Sequence, residues 1–180
     1  MRREFFSAFV SFACLGLAVT VNVSASLEYE LKAAFLLRFA NYVEWPSSAF
    51  GSDEEPLVFG VFGSDPFGGA LEAAAKGKMI SGRHVQIRVS SDPNVLRACH
   101  IIFFPASQMR GYGVTVSALS GLSVLTVGEV SGFTDHGGII NFVMQEDHLR
   151  FEINQTAAVG HHLKVSSRLL QLSVGAGHER

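Results

Sequence analysis

Residues 57–68 read LVFGVFGSDPFG, an apolar run that gives way abruptly to Gly, Ser, Asp and Pro. The first seven residues carry no polar side chain, which suits a strand covered on both faces. Asp65-Pro66 then suits a helix start running to about Lys76, because proline at the first helical turn loses only an N–H that has no partner there. A buried strand leading into a helix opens a βαβ unit, and the segments downstream repeat the pattern. HVQIRVS at 84–90 alternates as a strand, and Asp92-Pro93 starts a short helix. CHIIFF at 99–104 is another apolar strand, Ser107 to Leu119 a helix interrupted by Gly111 and Gly113, and SVLTVGE at 123–129 a further strand. This alternation predicts an α/β fold: a three-layer sandwich with a largely parallel sheet and helices on both faces.

The last third changes pattern. GIINFVMQ at 138–145 and HLRFEIN at 148–154 are two runs joined by Glu146-Asp147, which predicts an antiparallel hairpin closing one edge of the sheet. Asn154 is placed to cap a helix from Gln155 to about His161, and Ser166-Ser167 to start a last helix through Leu172. Upstream, EYELKAAFLLRFANYVEWP at 28–46 places Leu31, Ala34, Phe35, Phe39, Tyr42 and Val43 at mostly three- and four-residue intervals. It reads as a helix ending by Glu44 or Trp45, since Pro46 pushes the residue before it out of the α region. Leu36 and Leu37 widen its apolar face beyond an ordinary surface stripe, so it either packs deeply or also serves a partner.

Met1-Arg2-Arg3, an apolar run from Phe5 to Val23 and the small residues of Val23-Ser24-Ala25 have the layout of a secretory leader cleaved after Ala25. Residues 26–180 then form one domain, and export places it in the periplasm. Cys14 leaves with the leader, so Cys99 remains as a lone thiol, expected buried in its apolar strand. The formal net charge of −2, with no basic run, argues against nucleic acid as a partner.

Signatures of catalysis are incomplete throughout. GVFGSDPFG at 60–68 sits where phosphates bind in nucleotide folds, but carries neither Gly-Lys-Ser/Thr nor a correctly spaced dinucleotide fingerprint. Phe62, Asp65 and Phe67 are the candidates should this loop hold a small ligand instead. Adjacent His161 and His162 would rarely share one metal ion. Asp135-His136-Gly137-Gly138 has no Gly-x-Ser-x-Gly nucleophile to serve, and Cys99 and His100, as strand neighbours, point to opposite faces. No enzyme, metal or cofactor is expected.

The segments YELKAAFLLRFANYVEWP, VFGVFGSDPFG, GK at 77–78 with SGRHVQIR, CHIIFF, SVLTVGE with SGF, GGIINFV, RFEIN and LKVSSRLLQL occur in that order from about residue 28 to 172. Together they resemble the YfiR-like family of periplasmic signalling proteins. The resemblance implies a secreted regulator, not a catalyst. It also implies a partner: the periplasmic sensor region of an inner-membrane diguanylate cyclase of the GGDEF type, which such a regulator holds to lower cyclic-di-GMP. The family pattern includes paired cysteines, whereas Cys99 has no mate, so an intramolecular redox switch is not carried over. Candidate partner-binding residues are Trp45, a large amphipathic anchor at the helix end, and Arg150 and Glu152, which share the outer face of the hairpin while Leu149, Phe151 and Ile153 face the core. The broad helix face also allows a homodimer. A periplasmic small-molecule binding protein is the alternative.

Overall fold

The computed structural model describes residues 23–108 and 110–175. Of the leader read over residues 1–25, the first 22 positions lie outside the described residues. In chain order the elements are α1 (Val23–Tyr42), β1 (Val43–Glu44), β2 (Leu57–Phe62), α2 (Ala70–Ala75), β3 (Met79–Ile80), β4 (Arg83–Ser90), α3 (Pro93–Leu96) and β5 (Ile101–Phe104). There follow α4 (Tyr112–Ala118), β6 (Leu125–Gly128), β7 (Ile140–Gln145), β8 (His148–Ile153), α5 (Gln155–Gly160), β9 (Lys164–Val165) and α6 (Ser167–Leu172). Seven strands form one sheet in the order β3-β4-β2-β5-β6-β7-β8, while β1 and β9 pair separately. The five strands from β4 to β7 run parallel, and antiparallel β3 and β8 close the two edges.

Period-two alternation builds the two faces of this sheet. Leu57, Phe59, Val61, Ile101, Phe103, Leu125 and Val127 point to one side, where Leu36 and Phe39 of α1, Leu71 of α2, Ala158 of α5 and Leu169 of α6 cover them. Val58, Phe62, Ile102 and Phe104 point to the other, under Leu96 of α3 and Val116 of α4. The result is the expected three-layer sandwich. Helix α1 docks through aromatic contacts, with the Phe39 ring 5.0 Å from Phe151 and 5.6 Å from Phe142. A fully buried phenylalanine of this kind is worth about 3–5 kcal/mol against truncation to alanine.

Several boundaries differ from the expectation, each for a local reason. Helix α1 stops at Tyr42 because β1 pairs with β9, Val43 opposite Val165, and Ser166 N donates to Tyr42 O at 2.9 Å. Tertiary pairing thus ends the helix before Pro46 can. The helix placed at Asp65-Pro66 begins only at Ala70: Asp65 Oδ1 accepts from Phe67 N at 2.8 Å, closing a turn, and Gly68 and Gly69 take φ of 58° and 90°. Gly111, with φ of 96°, likewise delays the 107–119 helix to Tyr112. The hairpin stands as read: Glu146 and Asp147 both adopt positive φ, the geometry of a two-residue turn matched to strand twist. Asp92, Asn154 and Ser166 cap their helices through side-chain oxygens. The Gly137-Gly138 segment has a packing role, since a Cβ on Gly138 would fall 2.1 Å from the Phe133 ring.

Candidate functional site

The chain enters the parallel sheet at β2, adds β4 on one side and returns to add β5 on the other, so the strand order reverses between β2 and β5. In open α/β sheets the crevice at the carboxyl ends of such strands is the usual binding position. Here side chains fill it. Gln108 lies over Gly63, where a Cβ would come within 2.5 Å of its amide carbon, and Gln108 Nε2 donates to Ser64 Oγ at 3.2 Å. One strand further on, Glu129 follows β6 directly. Its Oε1 accepts from Tyr29 Oη at 2.9 Å and from Ala106 N at 2.7 Å, and its Oε2 meets Lys32 Nζ. Lys32 also reaches Glu28 and lies 4.6 Å from the centre of the Tyr29 ring. The side chains of Lys32 and Glu129 are 5% and 4% exposed. Burial, and then the Glu129 charge, hold the Tyr29 phenol well above its ordinary range. Both oxygens of the carboxylate are occupied and its charge is matched, so the cluster braces α1 against the ends of β5 and β6.

The loop candidates do not converge on one pocket. Phe62 packs on Phe104 at 5.3 Å on one face of the sheet. Phe67 packs on Phe103 at 5.0 Å and Tyr29 at 5.6 Å on the other. Asp65 is engaged by Phe67 N between them.

Trp45 lies half-buried at the end of β1, and its Nε1 has no hydrogen-bond partner among the described residues. It borders a cleft of about 220 Å³ with Asn41, Phe50, Ile80 and Arg83. One wall is a three-layer stack: the Arg83 guanidinium sits 3.7 Å from the centre of the Phe50 ring, and the His100 imidazole lies 4.4 Å from it and nearly parallel. Arg83 Nη1 donates to Ser52 O at 2.8 Å and Glu55 O at 2.6 Å. His100 Nδ1 accepts from Val58 N at 3.1 Å, which leaves Nε2 as the donor to Ala49 O at 3.2 Å. Burial pushes the His100 pKa below its ordinary value, and the neutral ring fastens the 46–56 loop to the sheet. Cys99 and His100 precede β5, which begins at Ile101 and not at Cys99 as expected, because Cys99 N donates to Leu96 O at 2.9 Å and closes the turn after α3. Cys99 is buried against Leu96 and Gly60, and burial pushes its thiol up to about 11.

On the hairpin, Phe151 is buried and Leu149 and Ile153 pack against the same core. Arg150 is exposed on the opposite face. Its neighbour Glu152 is engaged: Oε1 accepts from Thr134 Oγ1 at 3.0 Å and Asn141 Nδ2 at 3.1 Å. Glu152 also borders a groove of about 530 Å³ lined by Thr134, Asp135, Thr156 and Leu170. Of the adjacent histidines, His161 is buried with Nδ1 donating to Leu122 O at 2.9 Å, and His162 is exposed with φ of 58°.

Residues 29–174 match the family model described as YfiR/HmsC-like. The chain belongs to the YfiR/HmsC-like family. Among solved structures, a conserved domain protein from Vibrio cholerae O1 biovar El Tor strain N16961 shares this fold with a TM-score of 0.53 at 10% identity. The alignment covers 81% of this chain and 59% of that one, so the chain spans well under two thirds of its neighbour's length. No curated protein matches. The matched span takes in the whole described sheet of this YfiR/HmsC-like chain, together with Trp45, Cys99 and the hairpin.

Sequence reasoning missed the Glu129 cluster and the Arg83–Phe50–His100 stack. A signal for the first was present: Lys32 interrupts the apolar run of α1, and Glu129 directly follows an uncharged strand. Charged side chains are almost never fully buried unless paired, and these two pair.

Proposed function

We propose that this protein is an exported regulator that binds the periplasmic sensor region of an inner-membrane diguanylate cyclase and lowers its output of cyclic-di-GMP. The observation that carries this reading is the family match over residues 29–174. Two surface features support it: Trp45, a half-buried aromatic beside an open cleft, and Arg150, an exposed cation on the outer face of the hairpin. Aromatic and arginine anchors of this kind dominate protein interfaces. Glu152, already bonded to Thr134 and Asn141, orients the hairpin face beside Arg150. In this reading residues 1–25 direct export and are removed. Deleting the gene raises cyclic-di-GMP, and the chain from Ser26 restores the wild-type level only when supplied with an export leader. Unchanged cyclic-di-GMP in the deletion strain contradicts the proposal.

A second reading, a periplasmic small-molecule binding protein, draws on the cleft at Trp45, whose indole N–H lacks an acceptor among the described residues. A thermal-shift screen of small aromatic metabolites tests it: a ligand that raises the melting temperature of the wild type and not of Trp45→Phe supports it.

A further inference from the structure

Strand β4 runs from Arg83 to Ser90, yet β3 pairs with only its first two residues, Ile80 opposite Arg83 and Met79 opposite His84. On the inner side β2 pairs with all of residues 85–90. Among the described residues no strand lies against the outer side of that stretch. Ser90 O accepts from Gly63 N at 3.0 Å, so the backbone groups of Ser90 point toward β2. Successive strand residues turn their N–H and C=O to opposite sides, so Gln86 and Arg88 also point inward, and Ile87 and Val89 hold theirs outward. The far edge of the sheet differs: Val174 N donates to Phe151 O of β8 at 2.8 Å, so the chain itself already lies there.

Beside the open edge runs a groove of about 700 Å³, bounded by Glu72 and Lys76 of α2, by Lys78, and by β4 from His84 to Ile87. An edge of alternating donors and acceptors is matched by another extended backbone. The side chains then specify its sequence. Val85, Ile87 and Val89 share one face, with Val89 44% exposed, while His84, Gln86 and Arg88 share the other. Lys76 and Lys78 are exposed, and Glu72 is the one acid lining the groove, in a chain whose formal net charge is −2. Cross-strand neighbours favour apolar against apolar and opposite charges against each other. The complementary strand therefore alternates apolar side chains over the valine face with acidic ones over the Arg88 face.

We propose that the outer edge of β4 is a docking site for an extended acidic segment of a partner protein, which adds to the sheet as a further strand. The free backbone groups of Ile87 and Val89 set the extended form, and Lys76, Lys78 and Arg88 set the sign of the charge. This inference does not depend on the regulatory reading, since it names the shape and charge of the segment and not the protein that carries it.

Amide hydrogen exchange by NMR, with a short peptide of alternating glutamate and valine as the probe, tests it. In the free protein the Ile87 and Val89 amides exchange rapidly, while those of Gln86 and Arg88 are protected. The peptide slows exchange at Ile87 and Val89, and its fluorescence anisotropy traces a saturable isotherm. The same peptide with lysine in place of glutamate does not bind. Val89→Pro removes an N–H that β2 does not use, so it keeps the circular dichroism of the wild type and abolishes binding. Lys76→Glu combined with Lys78→Glu, both exposed positions, weakens binding by about tenfold or more. Protection of the Ile87 and Val89 amides in the free protein overturns the proposal, and protection that grows with protein concentration assigns the edge to a second copy instead. A glutamate peptide that fails to bind, or that binds without slowing those two amides, overturns it as well.

Discussion

Replacing Glu129 with Gln keeps the shape of the side chain and removes one charge. Lys32, 5% exposed, then loses its buried partner and keeps Glu28, whose side chain is 39% exposed and correspondingly screened. Breaking a buried pair by removing one member costs about 3–5 kcal/mol, because the remaining charge stays desolvated. The Gln carbonyl still accepts from Tyr29 or Ala106, and Glu28 still draws on Lys32. These set the cost of Glu129→Gln near the lower end, about 3 kcal/mol. With a urea slope of about 2 kcal/mol per molar, the midpoint falls by about 1.5 M. Lys32→Met in the same chain removes the stranded charge, so the double variant recovers at least about 1.5 kcal/mol relative to additivity. Equilibrium urea unfolding followed by tryptophan fluorescence measures both quantities, with Trp45 as the only reporter. A loss below about 0.5 kcal/mol for Glu129→Gln, or strict additivity with Lys32→Met, refutes the reasoning that this pair braces α1.

His100 makes stability depend on pH. Its folded pKa lies below the ordinary 6.5, so the unfolded chain binds the extra proton first; stability is complete above 6.5 and declines as pH falls from there toward the folded value. Urea midpoints from pH 7.5 to 5 show this decline, and His100→Gln flattens it, leaving the smaller contribution of His161, which is shifted in the same direction. Cys99, with its thiol pushed up to about 11, reacts with a thiol probe at pH 8 only after denaturant is added; rapid labelling of native protein contradicts its burial. Gly138→Ala places a Cβ against the Phe133 ring and backbone and lowers stability by about 1–3 kcal/mol by urea unfolding, whereas Gly77→Asn, at a positive-φ site with open space around it, costs well under about 1 kcal/mol.

The alternation of strands and helices was legible because β2, β5 and β6 are largely apolar runs and β4 alternates with period two, and the hairpin because two runs flank a two-residue turn. The Asp65 turn was not, since an Asx turn and a helix cap use the same side-chain oxygen and a nearby backbone N–H; Gly68 and Gly69 decide between them. Two-residue strands such as β1, β3 and β9 are too short to show any period. The Glu129 cluster joins residues 97 and 100 positions apart, and only the strand order, which no local pattern encodes, brings them together. The exposure of Arg150 was legible from the alternation of its strand, whereas the half-burial of Trp45 against the core was not, because its contacts come from loop residues such as Phe50. That Glu152 is tied to Thr134 and Asn141 was not, because Thr134 reaches it from a loop outside the hairpin.

The most direct measurement of the regulatory account is cyclic-di-GMP synthesis by membrane vesicles that display the cyclase's sensor region to the added protein. Titrating in the purified regulator should lower the synthesis rate saturably, and Trp45→Ala with Arg150→Glu should shift the half-maximal concentration upward by about tenfold or more, the scale of hot-spot loss. A synthesis rate unaffected by saturating wild-type protein contradicts the account.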